Sequence, residues 1–210
     1  MTAPPRNLAI IGAGGHGAVI VDAARTAQPH RPIVLFDLAP QTREVIGCPV
    51  ITGEPDPASF PPDQWEVHVA IGANPVRIAN LESLGRMGYA FATIVHPSAV
   101  LAESCSIGAG TAIMAGAVIN ARATIGMGCI INTGAIVEHD AAIGLGTHIS
   151  PGAVAAGGAR IGERCWIGAN AVVRQNVAIA NDVVLGALSF AVSDIDEPGT
   201  YVGTPARKLY

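Results

Sequence analysis

From Val95 to Leu185 every sixth residue is aliphatic, with Ala155 the one small member and no insertion to break the count. The series runs through Leu101, Ile107, Ile113, Ile119, Ile125, Ile131, Val137, Ile143 and Ile149, and on through Ile161, Ile167, Val173 and Ile179. Four residues after each comes a second regular position, held by small or β-branched side chains such as Thr111, Ala117, Cys129, Ala135, Thr147 and Cys165. A period of six fits neither the 3.6 of a helix nor the 2 of a flat strand, so the chain must turn a corner within each repeat. The aliphatic residue then points into a narrow prism, and the small one fits where the chain bends. This pattern predicts a hexapeptide β-helix, whose rungs bury their apolar faces only by stacking on one another.

The preceding residues have another rhythm. An apolar run, Asn7–Ile11, is followed by Gly12-Ala13-Gly14-Gly15-His16-Gly17 and a helical pattern from Ala18 to about Ala27. A second run, Ile33–Phe36, ends at Asp37; a third, Val67–Ile71, leads into Gly72-Ala73-Asn74-Pro75 and a helical stretch to about Gly88. The proline-rich segment Cys48–Pro62 reads as short turns with one edge strand. Strand–helix alternation implies a small parallel sheet. The expected architecture is therefore a Rossmann-like α/β domain over residues 1–94 and a parallel β-helix over residues 95–210.

Composition supports this picture and removes several function classes. Only 4% of residues are aromatic and 13% charged, as a narrow prism interior requires. A net charge of −4 without basic runs argues against a nucleic-acid or membrane-surface partner. The uncharged stretch Ser104–Ala121 is long enough to imitate a membrane span, but its glycines and six-residue period place it in the β-helix. The apolar stretch Leu8–Val21 could imitate a signal peptide, yet a glycine loop interrupts it. Cys48, Cys105, Cys129 and Cys165 show no metal-ligand spacing, and three of them occupy the small-residue position of the repeat. Neither a disulfide nor a zinc site is expected, and a reducing cytoplasm is the expected compartment. His30 and His68 read as solvated surface residues, and His96 before Pro97 as part of the join between domains.

Gly12, Gly14 and Gly17 satisfy the glycine fingerprint after a strand, and Asp37 follows at about the distance expected of an acid on a ribose. Alone this suggests an NAD enzyme. The first domain, however, holds only one mononucleotide half of a doubly wound fold, and a β-helix offers no hydride-transfer domain. The same loop serves a nucleoside diphosphate joined to something else, with its phosphates at the helix N-terminus.

With these pieces in order, the chain resembles the bacterial nucleotide-sugar acetyltransferases, a family that includes sialic acid O-acetyltransferases and the N-acetyltransferases of bacillosamine and perosamine pathways. The matching stretches are Ile11–Gly17, Ala70–Asn74 with Arg77, His96–Ala99, Asn132–Asp140 and Val202–Ala206. The resemblance implies a left-handed β-helix with eighteen residues per circuit, a homotrimer, acetyl-CoA as donor, no required metal, and a nucleotide-linked amino sugar as acceptor. It implies His139 as general base, with Asp140 or Glu138 orienting it, and His148, Ala169 and Ala187 at acetyl-CoA. It further implies Gly14, Gly15, His16, Asp37, Gly72 and Asn74 at the nucleotide-sugar. Many relatives carry two acids after the second strand where this chain has Asp37-Leu38, so the nucleotide stays open between UDP, GDP and dTDP.

The chemistry suits those residues. Acetyl transfer from a thioester needs an unprotonated amine and an acceptor for its second proton, which a neutral imidazole steadied by a carboxylate provides. An O-acetyltransferase on a sugar or sialic acid would use the same base, and a non-catalytic trimeric scaffold would use the same fold. Both stay open on sequence alone.

Overall fold

The computed structural model describes residues 6–209; residues 1–5 and Tyr210, the outermost parts of the two expected domains, lie outside the described residues. The chain divides into two compact units after Pro97. The short strand Ile94–Val95, where the aliphatic series begins, thus falls in the first unit.

In that unit, strands β1 (Asn7–Ile11), β2 (Ile33–Asp37), β3 (Glu44–Val45), β4 (Cys48–Thr52), β5 (Trp65–Val69) and β6 (Ala90–Phe91) form one sheet in the order β3-β4-β2-β1-β5-β6. All neighbours are parallel except β3 and β4. Helices α1 (Gly15–Ala27) and α2 (Asn74–Arg86) connect the strands. Side chains alternate across the sheet. Ala9, Ile11, Val34, Phe36, Val67 and Val69 point to the face where Leu81 and Leu84 of α2 pack.

Four local expectations change. Helix α1 begins at Gly15, three residues before Ala18, because the glycine loop itself supplies the first turn. The third run is strand at Trp65–Val69, and Ile71 already belongs to the loop after it. The segment from Cys48 does contain a strand, but β4 sits inside the sheet with two-residue β3 as the edge. His68 is not solvated. It is 1% exposed and its Nδ1 lies 2.9 Å from the Ala92 carbonyl, on a strand whose neighbouring residues, Val67 and Val69, are also buried.

The second unit is a left-handed parallel β-helix of two-residue strands on three faces. Up to the last coil, pairing joins residues eighteen apart: Val118 to Ile136 to Val154, Thr124 to Ala142 to Arg160, Ile130 to His148 to Trp166. The aliphatic series from Ile113 to Leu185 is buried, and Ala117, Ala123, Cys129, Ala135 and Ala141 fill the second position with no exposed surface. Burying each Ile there contributes roughly 1.5–3 kcal/mol. Thr147 is tolerated at a second position because its Oγ1 donates to the Gly162 carbonyl (2.7 Å) and accepts from the Cys165 N–H (2.9 Å).

A third periodicity appears at the corners. Every sixth residue from Gly110 to Leu188 has φ between 53° and 71°, in the left-handed region. Many of these corners are glycine or asparagine, which adopt that region readily; Arg122, Asp140, Arg164 and Asp182 are not. The last rungs end where Gly199–Val202 pairs with Val183–Leu185 and the chain folds back antiparallel through Arg207–Lys208, which covers part of the exposed sheet edge. Among the described residues no helix is long and apolar enough to cross a membrane.

Candidate active site

The strand Ile136–Val137 ends at a corner formed by Glu138, His139 and Asp140. Flat strand geometry would send neighbouring side chains to opposite faces. Asp140 has φ 61°, and this turn brings its Oδ2 to 2.8 Å from His139 Nδ1. Glu138 makes a different contact: its Oε2 accepts the His139 backbone N–H at 3.3 Å. Asp140 thus meets the imidazole and Glu138 the main chain.

Asp140 is held from the preceding coil as well. The Arg122 guanidinium donates through Nε to Oδ1 (2.6 Å) and through Nη2 to Oδ2 (2.7 Å). Arg122 first, and His139 second, keep this carboxyl well below the usual carboxylate range. An ionised carboxylate only accepts hydrogen bonds, so Nδ1 is the nitrogen that donates to it, and in the neutral form of the ring Nε2 is left with the lone pair. The His139 side chain is 61% exposed. On the following coil, a Cβ built at Gly157 would stand 2.7 Å from Nε2 and 2.8 Å from Cε1. Gly157 is not in the left-handed region, so the space its missing side chain leaves, rather than backbone freedom, is what the imidazole uses.

His148 lies elsewhere on the prism. It is 7% exposed, on the face shared by Ile130–Ile131 and Trp166–Ile167. Its Nε2 accepts from the Asn132 amide at 3.0 Å, and its ring packs on Trp166 with centroids 4.7 Å apart. Ala169 and Ala187 stand on the corner that follows this face, one above the other. The Leu188 N–H donates to the Ala169 carbonyl (2.9 Å), and a Cβ at Gly168 would meet the Ala187 nitrogen at 2.5 Å. His148, Ala169 and Ala187 therefore share one side of the prism, and His139 occupies the next corner along.

In the α/β unit the fingerprint glycines divide by job. A Cβ at Gly17 would stand 2.2 Å from the Gly12 carbonyl oxygen, and one at Gly12 3.0 Å from that of Ala70. These two permit close backbone packing. Gly14, Gly15 and Gly72 would meet nothing within 4 Å; they border open space. Gly14 is the N-cap of α1 and makes no side-chain cap, so the first N–H groups of that helix point outward without intrahelical partners. Asp37 ties the loop down: Oδ2 accepts the Ala13 N–H (2.9 Å) and Oδ1 that of Ala39 (3.0 Å). A cavity of about 150 Å³ opens beside it, lined by Gly12, Phe36, Asp37, Glu54 and Val76 among others.

The remaining expected residues of this unit face inward. Asn74 is 4% exposed and its Oδ1 accepts from Arg77 Nη2 at 2.7 Å. Arg77, buried, also donates to the carbonyls of Ile71 (2.7 Å) and Gly72 (3.0 Å), which fixes the loop after β5. His16 has a buried Nε2 without a hydrogen-bond partner. Burial, reinforced by the Arg77 charge, lowers its pKa to about 4, so the ring is neutral at neutral pH. Arg122, Gly157 and Glu54 carried no sequence assignment. The first two lie one coil from Asp140 and His139, so an eighteen-residue offset from the motif would have found them.

This two-part arrangement has close counterparts among known proteins. The PglD N-terminal domain family matches residues 7–84, and the bacterial transferase hexapeptide repeat family matches residues 158–190. The acetyltransferase domain of PglB from Neisseria gonorrhoeae, solved in complex with acetyl coenzyme A, is 38% identical. That match covers 98% of this chain and 100% of that one, with a TM-score of 0.94. The chain belongs to the PglD-type N-acetyltransferase family. Within that family, PerB from Caulobacter crescentus, solved with CoA and GDP-perosamine, is 32% identical over 100% of both chains, with a TM-score of 0.91. UDP-N-acetylbacillosamine N-acetyltransferase of Bacillus subtilis is 38% identical over 114 residues, 52% of each chain. The aligned stretch thus spans about half the length of that curated relative.

Proposed function

We propose that this family member transfers the acetyl group of acetyl-CoA to the amino group of a nucleotide-linked 4-amino-4,6-dideoxy sugar, with His139 as general base. The observation that carries this reading is the His139–Asp140 pair, with Nδ1 on the carboxylate and Nε2 turned outward over Gly157. The amine attacks the thioester carbonyl carbon and gives up its proton to Nε2. Collapse of the tetrahedral intermediate breaks the C–S bond, and the departing thiolate takes that proton from the imidazolium. Asp140 steadies the transient cation and keeps the tautomer; Glu138 fixes the backbone beneath it. No step calls for a metal.

The α/β domain is assigned to the nucleotide-sugar. The outward N–H groups at Gly14, Gly15 and His16 suit a pyrophosphate, and the cavity beside Asp37 suits a nucleoside. His148, Ala169 and Ala187 are assigned to acetyl-CoA. Because His139 and His148 stand on different parts of one prism, a homotrimer in which His139 of one subunit faces His148 of the next would complete the site. Mixing inactive His139→Ala and His148→Ala subunits should then restore part of the activity. A monomer by light scattering, or no recovery in trimers shown to have exchanged subunits, overturns that assembly.

The reaction itself is tested by following thiol release from acetyl-CoA, without added metal, across UDP-, GDP- and dTDP-linked 4-amino sugars. Turnover on at least one is expected. Turnover on free sialic acid and on none of the amino sugars would make the protein an O-acetyltransferase.

A further inference from the structure

Arg122 stands one coil before Asp140, and the two side chains meet in a bidentate pair of 2.6 and 2.7 Å. Such forks fix both the position and the plane of a carboxylate. The same oxygen that takes Nη2, Oδ2, also meets His139 Nδ1 at 2.8 Å. Arg122 adopts φ 61° at a corner where Gly116 and Gly128, its neighbours in the six-residue series, are glycine. A long side chain costs about 1 kcal/mol more than glycine in that region, so this corner carries a penalty that glycine would remove.

We propose that Arg122 is a positioning residue for acetyl transfer. Its guanidinium locks the Asp140 carboxylate in the plane that meets Nδ1 of His139, and its positive charge tempers the field the carboxylate exerts on the ring. The proposal rests on His139 being the base. Among the described residues, the charged groups bonded at this corner are Asp140 and Glu138 on the corner itself and Arg122 from the coil before, while the matching corner of the coil after carries Ala156, Gly157 and Gly158, with Arg160 beyond it. Arg122 is thus the cation paired with the carboxylate that meets the ring. A matching pair on the adjacent corner series, Arg164 with Asp182 (Nε–Oδ1 2.7 Å), has the same fork and backbone but no histidine beside its carboxylate, and serves as an internal control.

Arg122→Gln should lower the plateau kcat roughly three- to tenfold, a fraction of what a general base supplies, with little change in KM for acetyl-CoA. With the carboxylate no longer balanced, the protonated ring is favoured. The acid limb of the pH–kcat/KM profile should therefore move to higher pH by about half a unit, a modest shift because the groups are exposed. Arg122→Lys should restore the limb, since the charge remains, but not the plateau, since the fork is lost. In an Asp140→Asn background Arg122→Gln should add nothing, and Arg164→Gln should keep the wild-type limb. A wild-type plateau and limb in Arg122→Gln, or an effect that simply adds to that of Asp140→Asn, overturns the proposal. His139→Ala separates the two ideas: near-full activity there removes the base assignment, whereas an inactive His139→Ala beside an unaltered Arg122→Gln removes only the role of Arg122.

Discussion

The two domains treat the polar side chains around their candidate sites in opposite ways. In the α/β domain Arg77, Asn74 and His68 are buried and bonded to the protein itself, while the surface left open at the glycine loop is backbone. In the β-helix the groups at the Asp140 corner stand in solvent, with His139, Asp140 and Arg122 side chains 61%, 44% and 66% exposed, yet each is tied to a neighbour one residue or one coil away. On the proposed reading, the buried side chains shape a cradle of N–H groups suited to a phosphate. An exposed but tethered imidazole can reach a reacting group and still keep one tautomer. On that reading the difference separates the proposed binding surface from the proposed reactive one.

That contrast can be pressed hardest at Gly157. Gly157→Ala adds one methyl where the His139 ring now lies, without straining the backbone. The expected result is a roughly ten- to hundredfold loss of kcat with a thermal melt close to wild type. Normal activity would mean the ring need not occupy that space. In the glycine loop the opposite is expected. Gly17→Ala would place a Cβ 2.2 Å from the Gly12 carbonyl oxygen, and its main effect should be a stability loss of about 1–3 kcal/mol, read from urea unfolding.

The buried imidazoles of the α/β domain give a second, pH-dependent contrast. Burial lowers His68 to about 4; the bond to the Ala92 carbonyl, the next largest influence, works the other way, and nearby positive charge such as that of Arg77 adds smaller lowering. Unfolded histidine titrates near 6.5, so as pH falls the unfolded chain takes up this proton first. Stability should decline from about pH 6.5 and level off below about pH 4, by on the order of 3 kcal/mol for His68. Urea unfolding at pH 7 and pH 4.5 checks this, and His68→Gln should flatten the difference. An unchanged slope in that variant would place the acid sensitivity elsewhere.

Much of the fold was legible because the β-helix repeats in the sequence as it does in space. Ile113, Ala117 and their equivalents announce their burial by recurrence alone. The left-handed corners were hidden because Arg122, Asp140, Asn170 and Leu188 share a conformation with glycine while sharing no chemistry. The Glu138-His139-Asp140 motif was legible as a cluster, but which acid meets the ring was not; the contact at Nδ1 is made by Asp140. Its supports carry no local signal, since Arg122 and Gly157 become its neighbours only when the motif is stepped by the eighteen residues of one coil. His68 was misread for a related reason: its partner carbonyl belongs to Ala92, a tertiary neighbour that no local pattern reveals.

On the proposed mechanism the exposed imidazole at the Asp140 corner takes the proton during acetyl transfer. His139→Ala tests it most directly, with kcat and acetyl-CoA affinity measured on the same preparation and the best amino-sugar acceptor. The expected result is a loss of kcat of at least about a hundredfold with donor affinity essentially unchanged. Near-wild-type turnover in His139→Ala would contradict it.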